Sequence, residues 1–366
     1  MKIAFFIPNM RIGGTEIVLK SIINAMIDRY PQYNIDLILA REEGAILRDI
    51  DNRISIINLD CKHVKYCLYN LVKYFRKEEP DCFISSLDYS NITASLAHQL
   101  SRSSSQLILW EHSITSVHSE TTISKYRILR YFLIRYFYNR ADHIISVSRG
   151  VAEDLTDFFH INKKKLRVIY NPVDQNKIIQ LSNREIIKPP LDIYKEKYII
   201  SVGRLVQAKN YTLLIQAFNI LSKHSLIKLV VIGTGPENNR IQQQIRRLQL
   251  DERIILTGNM DNPFPLIKNA SVVVLSSKWE GFGLVLLEAL VLQKQIVSTD
   301  CPGGPREILD HGKYGLLVPV NNPEKLAEGI SRIIKGKVKF DEELLLQRAK
   351  YFNIEKSFNQ FMEVIN

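Results

Sequence analysis

The chain opens on a short apolar run, Lys2 to Pro8, centred on Ile3-Ala4-Phe5-Phe6-Ile7, and then turns at Gly13-Gly14. Beyond the turn, Ile17, Val18, Ser21, Ile22, Ala25 and Met26 recur at helical spacing, with Thr15 as the expected cap. Similar apolar runs return at 35–40, 82–85, 107–110, 143–147 and 166–169, and helical stretches lie between several of them. Such runs are continuous rather than alternating, which is the pattern of strands covered on both faces. It predicts an α/β protein with a parallel sheet between helices.

The pattern loosens between Asp174 and Lys197, a polar stretch holding the Pro189-Pro190 pair. It then restarts with strands expected at 198–202, 229–232, 254–257, 272–275, 295–298 and 316–318, again separated by helices. Two doubly wound domains are therefore expected, residues 1–180 and 181–345. The end, residues 346–366, is expected to be a helix that crosses back to the first domain. Folds of this kind bind ligands beyond the carboxyl ends of their strands, so a central cleft between two facing sheets is the expected site.

The length of 366 residues agrees with two cores. With 46% hydrophobic and 24% charged residues, the chain is neither disordered nor fibrous. No apolar run approaches the roughly 18 residues needed to cross a bilayer. The apolar start is too short for a secretory signal and is closed by Pro8. Cys61, Cys67, Cys82 and Cys301 have no metal-type pair spacing and are too few for a disulfide framework, so a reducing cytoplasm and no bound metal are expected. The charge is unbalanced: 49 Lys+Arg against 38 Asp+Glu, a net +11. This points to a polyanionic neighbour, whether nucleic acid, an anionic membrane face or phosphorylated small molecules.

Four loops lie beyond strand ends of the second half. In Ser201-Val202-Gly203-Arg204…Lys209-Asn210, Arg204 and Lys209 flank a turn into a helix, where two cations suit a diphosphate. Ile232-Gly233-Thr234-Gly235-Pro236-Glu237 is a glycine turn; Asn238 stands where a dinucleotide fingerprint needs its third glycine, so a nicotinamide cofactor is not expected. Glu280-Gly281-Phe282-Gly283 precedes a helix over Leu284 to Leu290, which places Glu280 in the loop and Glu288 on the helix. Backbone N–H groups at such a helix start favour negative charge, and carboxylates accept hydroxyl hydrogen bonds from a sugar or ribose diol. The fourth loop runs from Asp300 through Cys301-Pro302-Gly303-Gly304-Pro305-Arg306-Glu307 to Ile308.

These four segments resemble the family-4 group of retaining glycosyltransferases, which have the GT-B fold of two Rossmann-like domains and use nucleotide-sugar donors. The first half agrees: Gly13-Gly14-Thr15-Glu16 is similar to the family's glycine loop, and Ser146-Val147-Ser148-Arg149-Gly150 and Tyr170-Asn171-Pro172-Val173-Asp174 resemble its segments before the linker. The resemblance covers essentially the whole chain and implies an acceptor-binding first domain and a donor-binding second one. It implies that Arg204 and Lys209 hold the donor diphosphate and neutralise the leaving group, and that Glu288 binds the ribose hydroxyls. Glu280, with the backbone at Phe282, Gly283 and Leu284, would hold the donor sugar. Gly13, Gly14 and Gly233 would let ligand approach the backbone, and His112 would lie near the transferred sugar. Retention would ordinarily call for a carboxylate nucleophile, but no acid of the second domain can be assigned that part, and Glu280 is given a binding and electrostatic role. Preorganised cations and helix N-termini can take the leaving-group charge, so a metal-independent reaction with no cofactor is expected.

A last feature concerns the charge. Lys125, Arg127, Arg130, Arg135 and Arg140 fall in sixteen residues without an acid, interleaved with Tyr126, Tyr131, Phe132, Tyr136, Phe137 and Tyr138. Lys163, Lys164, Lys165 and Arg167 follow. On a helical wheel Leu129, Phe132, Leu133 and Tyr136 gather on one side, with Arg127, Arg130 and Ile134 opposite. One reading is a helix packed on its domain with its cations solvated. The other is a surface, Lys125 to Arg167, for anionic lipid or a lipid-diphosphate acceptor. Nucleic acid is not expected, since no motif for it is present.

The expectation is a hexosyltransferase peripheral on the cytoplasmic face of a bacterial membrane. It would move a hexose or N-acetylhexosamine, with α retention, from a UDP-sugar to a lipid-linked or cell-surface glycan such as lipopolysaccharide or capsule. The alternatives are a nucleotide-sugar epimerase on the same fold and a non-catalytic nucleotide-sugar-binding protein.

Overall fold

The computed structural model describes residues 1–120, 124–185 and 196–366; the side chains of residues 118–120 and 124–126 are outside that description. Pro189-Pro190 and the side chains of Lys125 and Tyr126 thus fall outside it. The chain divides into two units, Met1–Pro172 with Ile354–Asn366, and Val173–Asn353.

The first unit is built on a seven-stranded parallel sheet. Its strands are β1 (Lys2–Ile7), β2 (Asn34–Leu39), β3 (Ser55–Asn58), β4 (Cys82–Ser86), β5 (Gln106–Glu111), β6 (His143–Ser146) and β7 (Leu166–Val168). Their order is β3-β2-β1-β4-β5-β6-β7, so the winding reverses beside β1, where such folds open toward ligand. All the strands read from apolar runs are present. The additional strand, β3, is a sheet edge with three of its four residues exposed, and its apolar part is only the pair Ile56-Ile57. Thr15 is not a cap: the helix spans Gly14–Arg29, and its N-cap is Gly13, which has no side chain to cap with.

The second unit holds β8 (Tyr198–Val202), β9 (Lys228–Ile232), β10 (Ile254–Gly258), β11 (Val272–Leu275), β12 (Ile296–Thr299) and β13 (Leu316–Val318). All six are parallel, in the order β10-β9-β8-β11-β12-β13, with the reversal beside β8. The helix Gln175–Ser182 belongs here rather than to the first unit. It packs on the helices Phe264–Asn269 and Leu284–Val291, and Asn262 Nδ2 donates to the Leu181 carbonyl at 2.8 Å. The division therefore falls at Pro172/Val173 instead of 180/181.

At the other end the chain forms two helices, Glu342–Lys350 and Ile354–Ile365, where one was expected. The first stays with the second unit, Arg348 donating to the carbonyls of Ile308 and Glu307. The second joins the first unit: Phe361 lies 6.2 Å from Phe5 and 5.0 Å from Trp110, ring centre to ring centre, and Ser357 Oγ donates to the Tyr170 carbonyl. The second limit thus lies at Asn353/Ile354 rather than 345/346.

The basic helix, Ser124–Tyr138, is turned the other way from a packed apolar face. Ile134 is fully buried and Arg130 is 6% exposed, while Leu129, Phe132 and Tyr136 are 56%, 59% and 46% exposed. The reason is an ion pair. Arg130 binds Asp88 at the start of the helix Asp88–Ser101 and draws that side of the basic helix inward.

Candidate functional site

The four loops singled out in the second half meet at the carboxyl edge of its sheet, joined by backbone contacts. Gly203 N–H donates to the Ile232 carbonyl and Leu205 N–H to the Thr234 carbonyl, both at 2.9 Å. Lys278 N–H donates to the Ala208 carbonyl at 2.7 Å, and Glu280 N–H to the Pro302 carbonyl at 3.0 Å. The glycines make these approaches sterically possible. A Cβ on Gly233, which has φ +142°, would lie 2.0 Å from the Gly203 carbonyl oxygen. One on Gly303, at φ +111°, would lie 1.7 Å from the Glu280 oxygen. Both positions need glycine for backbone conformation and for space. Gly233, read from sequence as a ligand contact, is thus also demanded by loop-to-loop packing.

At the centre of this assembly Glu280 is 8% exposed. Its Oε1 accepts from Lys209 Nζ at 2.6 Å and from Ser277 Oγ at 2.5 Å. Lys209 is itself held in place, since Ser276 Oγ donates to its carbonyl at 2.8 Å. Lys209 and Glu280, 71 residues apart in sequence, are therefore a nearly dry ion pair. Arg204 is exposed and has no partner among the described residues, leaving its guanidinium fork available to an anion.

Gly283, at φ +100°, is the N-cap of the helix Leu284–Val291, whose first turn has no side-chain cap. The N–H groups around Leu284 are thus left for another acceptor. Phe282 anchors the loop from below, buried with its ring against Phe352 at 5.7 Å. The carboxylate of Glu288, on the same helix, makes no hydrogen bond among the described residues. Burial pushes its carboxyl up to about 7, against the pull of the Lys209 charge. The second unit therefore presents a free guanidinium, a lysine shared with a buried carboxylate, an uncapped helix start and an unpartnered acid. That set suits a phosphorylated ligand carrying hydroxyl groups.

In the first unit, Gly13 is extended, with Gly14 opening the uncapped helix beyond β1. His112 follows the end of β5. Its ring lies 4.8 Å from that of Trp110, and both ring nitrogens are buried without a hydrogen-bond partner. Burial lowers its pKa to about 3, so the imidazole is neutral, one nitrogen a donor and the other an acceptor. Beneath it, Glu111, Tyr138 and Asn91 form a buried chain of hydrogen bonds. Neither these residues nor Ser277 was nominated from sequence. The adjacency of Glu111 to His112 was the one available signal, and nothing local marks the others. The chain also contains one Asp-x-Asp tripeptide, Asp49-Ile50-Asp51, a pattern that elsewhere serves metal-bound diphosphates. Here both acids are engaged, Asp49 with Lys20 at 2.9 Å and Asp51 with Arg53 at 2.7 Å.

Comparison with known proteins agrees with this layout. The family described as Glycosyltransferase Family 4 matches residues 12–177, and that described as Glycosyl transferases group 1 matches residues 183–351. The chain is 31% identical over 340 residues to an uncharacterized glycosyltransferase of Methanocaldococcus jannaschii, covering 81% of this chain and 82% of that one. It is 35% identical over 204 residues to the N-acetylgalactosamine-N,N'-diacetylbacillosaminyl-diphospho-undecaprenol 4-alpha-N-acetylgalactosaminyltransferase of Campylobacter jejuni, covering 56% of this chain and 54% of that one. Among solved structures, Anabaena HepE in complex with UDP-glucose superposes with a TM-score of 0.81 at 21% identity, covering 100% of this chain and 99% of that one. With both halves matched in order on two Rossmann-like units, the chain is a GT-B glycosyltransferase and belongs to glycosyltransferase family 4.

Proposed function

We propose that this glycosyltransferase works with retention, moving a hexose or N-acetylhexosamine from UDP to a lipid-linked or cell-surface glycan and forming an α-glycosidic bond. The observation that carries the reading is the group Arg204, Lys209, Glu280 and Glu288 on one edge of the second sheet, with Arg204 unpartnered and Glu288 unbonded. As the bond to the anomeric carbon breaks, negative charge grows on the departing diphosphate. Arg204 and Lys209 would take it up, and the helix start at Leu284 would hold the sugar end. Glu288 would accept the ribose hydroxyls, and Glu280, already bound to Lys209 and Ser277, would orient the sugar and keep that lysine in place. In the first unit, neutral His112 would lie near the transferred sugar. No bound metal is assigned a part, so transfer is expected to persist in excess chelator.

The acceptor reading rests on a second observation. The helix Ser124–Tyr138 exposes Ile128, Leu129, Phe132 and Tyr136, and Phe158 lies exposed in the same unit. Arg127, Arg135, Arg140, Lys163, Lys164 and Arg167 are exposed in the same stretch of chain. Apolar side chains among cations fit an anionic membrane surface, where a diphospholipid-linked acceptor would be found. The Campylobacter relative, whose name specifies a diphospho-undecaprenol substrate, supports this. No helix among the described residues is long and apolar enough to cross a membrane, and the proposed attachment is peripheral to the cytoplasmic face.

The test is hydrolysis and transfer across a panel of UDP- and GDP-sugars with Arg204→Ala. Arg204 is exposed and partnerless, so its loss should leave the fold intact while lowering kcat/KM by at least about 100-fold, the effect of losing one transition-state charge partner. Turnover equal to wild type would refute the donor site.

A further inference from the structure

Glu111, the last residue of β5, is completely buried. Its Oε1 accepts the backbone N–H of His112 at 3.1 Å and of Ser113 at 3.4 Å, and its Oε2 accepts the Tyr138 hydroxyl at 2.6 Å. Asn91 Nδ2 donates to the same Tyr138 oxygen at 3.0 Å and to the Trp110 carbonyl at 3.4 Å. A buried carboxylate is costly, and this one secures the two peptide units that carry the histidine out of the sheet. The His112 ring has no hydrogen bond of its own, so its direction depends on the backbone beneath it and on the face of Trp110.

We propose that Glu111 is a positioning residue for the transfer reaction: its carboxylate, braced by Tyr138 and Asn91, holds the His112–Ser113 backbone and so aims the imidazole. This rests on the proposed function, in which His112 meets the transferred sugar.

The charged surroundings make the inference testable. Facing Glu111 are Asp88, on the helix Asp88–Ser101, and Arg130 and Tyr138, on the helix Ser124–Tyr138; Asp154 accepts from Thr115 and Ser116 and acts on Arg130. Burial and the Asp88 charge raise the Glu111 carboxyl to about 8, while Tyr138, the His112 N–H and Arg130 favour ionisation. Backbone N–H groups bind a carboxylate more tightly than a carboxylic acid, so the hold on His112 strengthens as pH rises through this range. Turnover should therefore climb through a limb near pH 8 that belongs to Glu111.

The experiment compares kcat and KM against pH, using the donor that wild type turns over, for wild type, Glu111→Gln and Tyr138→Phe. Glu111→Gln, close in shape but never charged, should lower kcat 10- to 100-fold at pH 8.5, leave donor KM within twofold, and abolish the limb. Tyr138→Phe removes a hydrogen bond that favours the charged form, so its limb should move to higher pH. A residue that only supported the fold would lower activity equally at every pH. A profile for Glu111→Gln parallel to wild type, or an unmoved limb in Tyr138→Phe, overturns the proposal. If Glu111→Gln does not fold, Tyr138→Phe decides alone. Wild-type enzyme inactive toward every nucleotide-sugar would defeat the proposed function, and this inference with it; active wild type with unaltered variants defeats the inference alone.

Discussion

Replacing Lys209 with alanine removes one member of the ion pair at the centre of the proposed donor site. Its Nζ lies 2.6 Å from Glu280 Oε1, with side-chain exposures of 21% and 9%. At that separation and an effective dielectric of about 20, the gross attraction is ~6 kcal/mol. Much of it offsets the cost of removing both charges from water. What alanine leaves is a nearly dry carboxylate with Ser277 as its remaining side-chain donor. Stranding such a charge costs ~3–5 kcal/mol, and the exposure of Lys209 and the surviving Ser277 bond place this case near ~2–3. For a unit of this size, that corresponds to a fall in Tm of ~5–10 °C, read by calorimetry at pH 7.5. Transfer should fall further, by ~1,000-fold in kcat/KM, since a cation at the leaving group is lost. The double variant Lys209→Ala/Glu280→Gln separates the effects. With no stranded charge its Tm should recover most of the loss, while its activity stays low. If Lys209→Ala melts with wild type, or the double variant melts as low as the sum of the two singles, the pair does not support the site and the reasoning fails.

Two further predictions concern pH and the exposed helix. The Glu288 carboxyl rises from 4.5 to about 7 on folding, so between these values the native state holds a proton the unfolded chain has released. Its stabilising contribution is complete below pH 4.5 and is lost as pH rises through 7; melting curves from pH 4.5 to 8 should show this decline and Glu288→Gln should flatten it, equal slopes being the contrary result. At the exposed helix, Phe132→Ser with Tyr136→Ser should abolish flotation with anionic vesicles, and Arg127→Ser with Arg135→Ser should weaken it by ~2 kcal/mol, or roughly 30-fold in partitioning. Arg130→Ser should instead lower Tm, because Arg130 is buried against Asp88. Flotation of all variants equal to wild type would remove the membrane surface.

Much of the loop cluster in the second unit was legible because each of its parts is local. A strand ending in a glycine turn, a cation pair at a helix entry and an acid before an uncapped helix can be read residue by residue. Two local elements differ from the expectation. β3 is an exposed edge whose apolar part is only the pair Ile56-Ile57. Thr15 sits inside its helix because Gly13 takes the turn. For the basic helix the wheel leaves the buried side open, and Asp88, 42 residues before Arg130, decides it.

By itself, then, the sequence determined the two sheets, the loops at their carboxyl ends and the residue types those loops offer, since strand burial and turn chemistry are written in neighbouring positions. Tertiary structure decided the partnerships. Lys209 meets Glu280 across 71 residues, and Glu111 is tied to Tyr138 across 27. It also decided which acids are poised near neutrality, because a carboxyl group's pKa depends on the water and charges removed around it by the fold, and no local spacing encodes either.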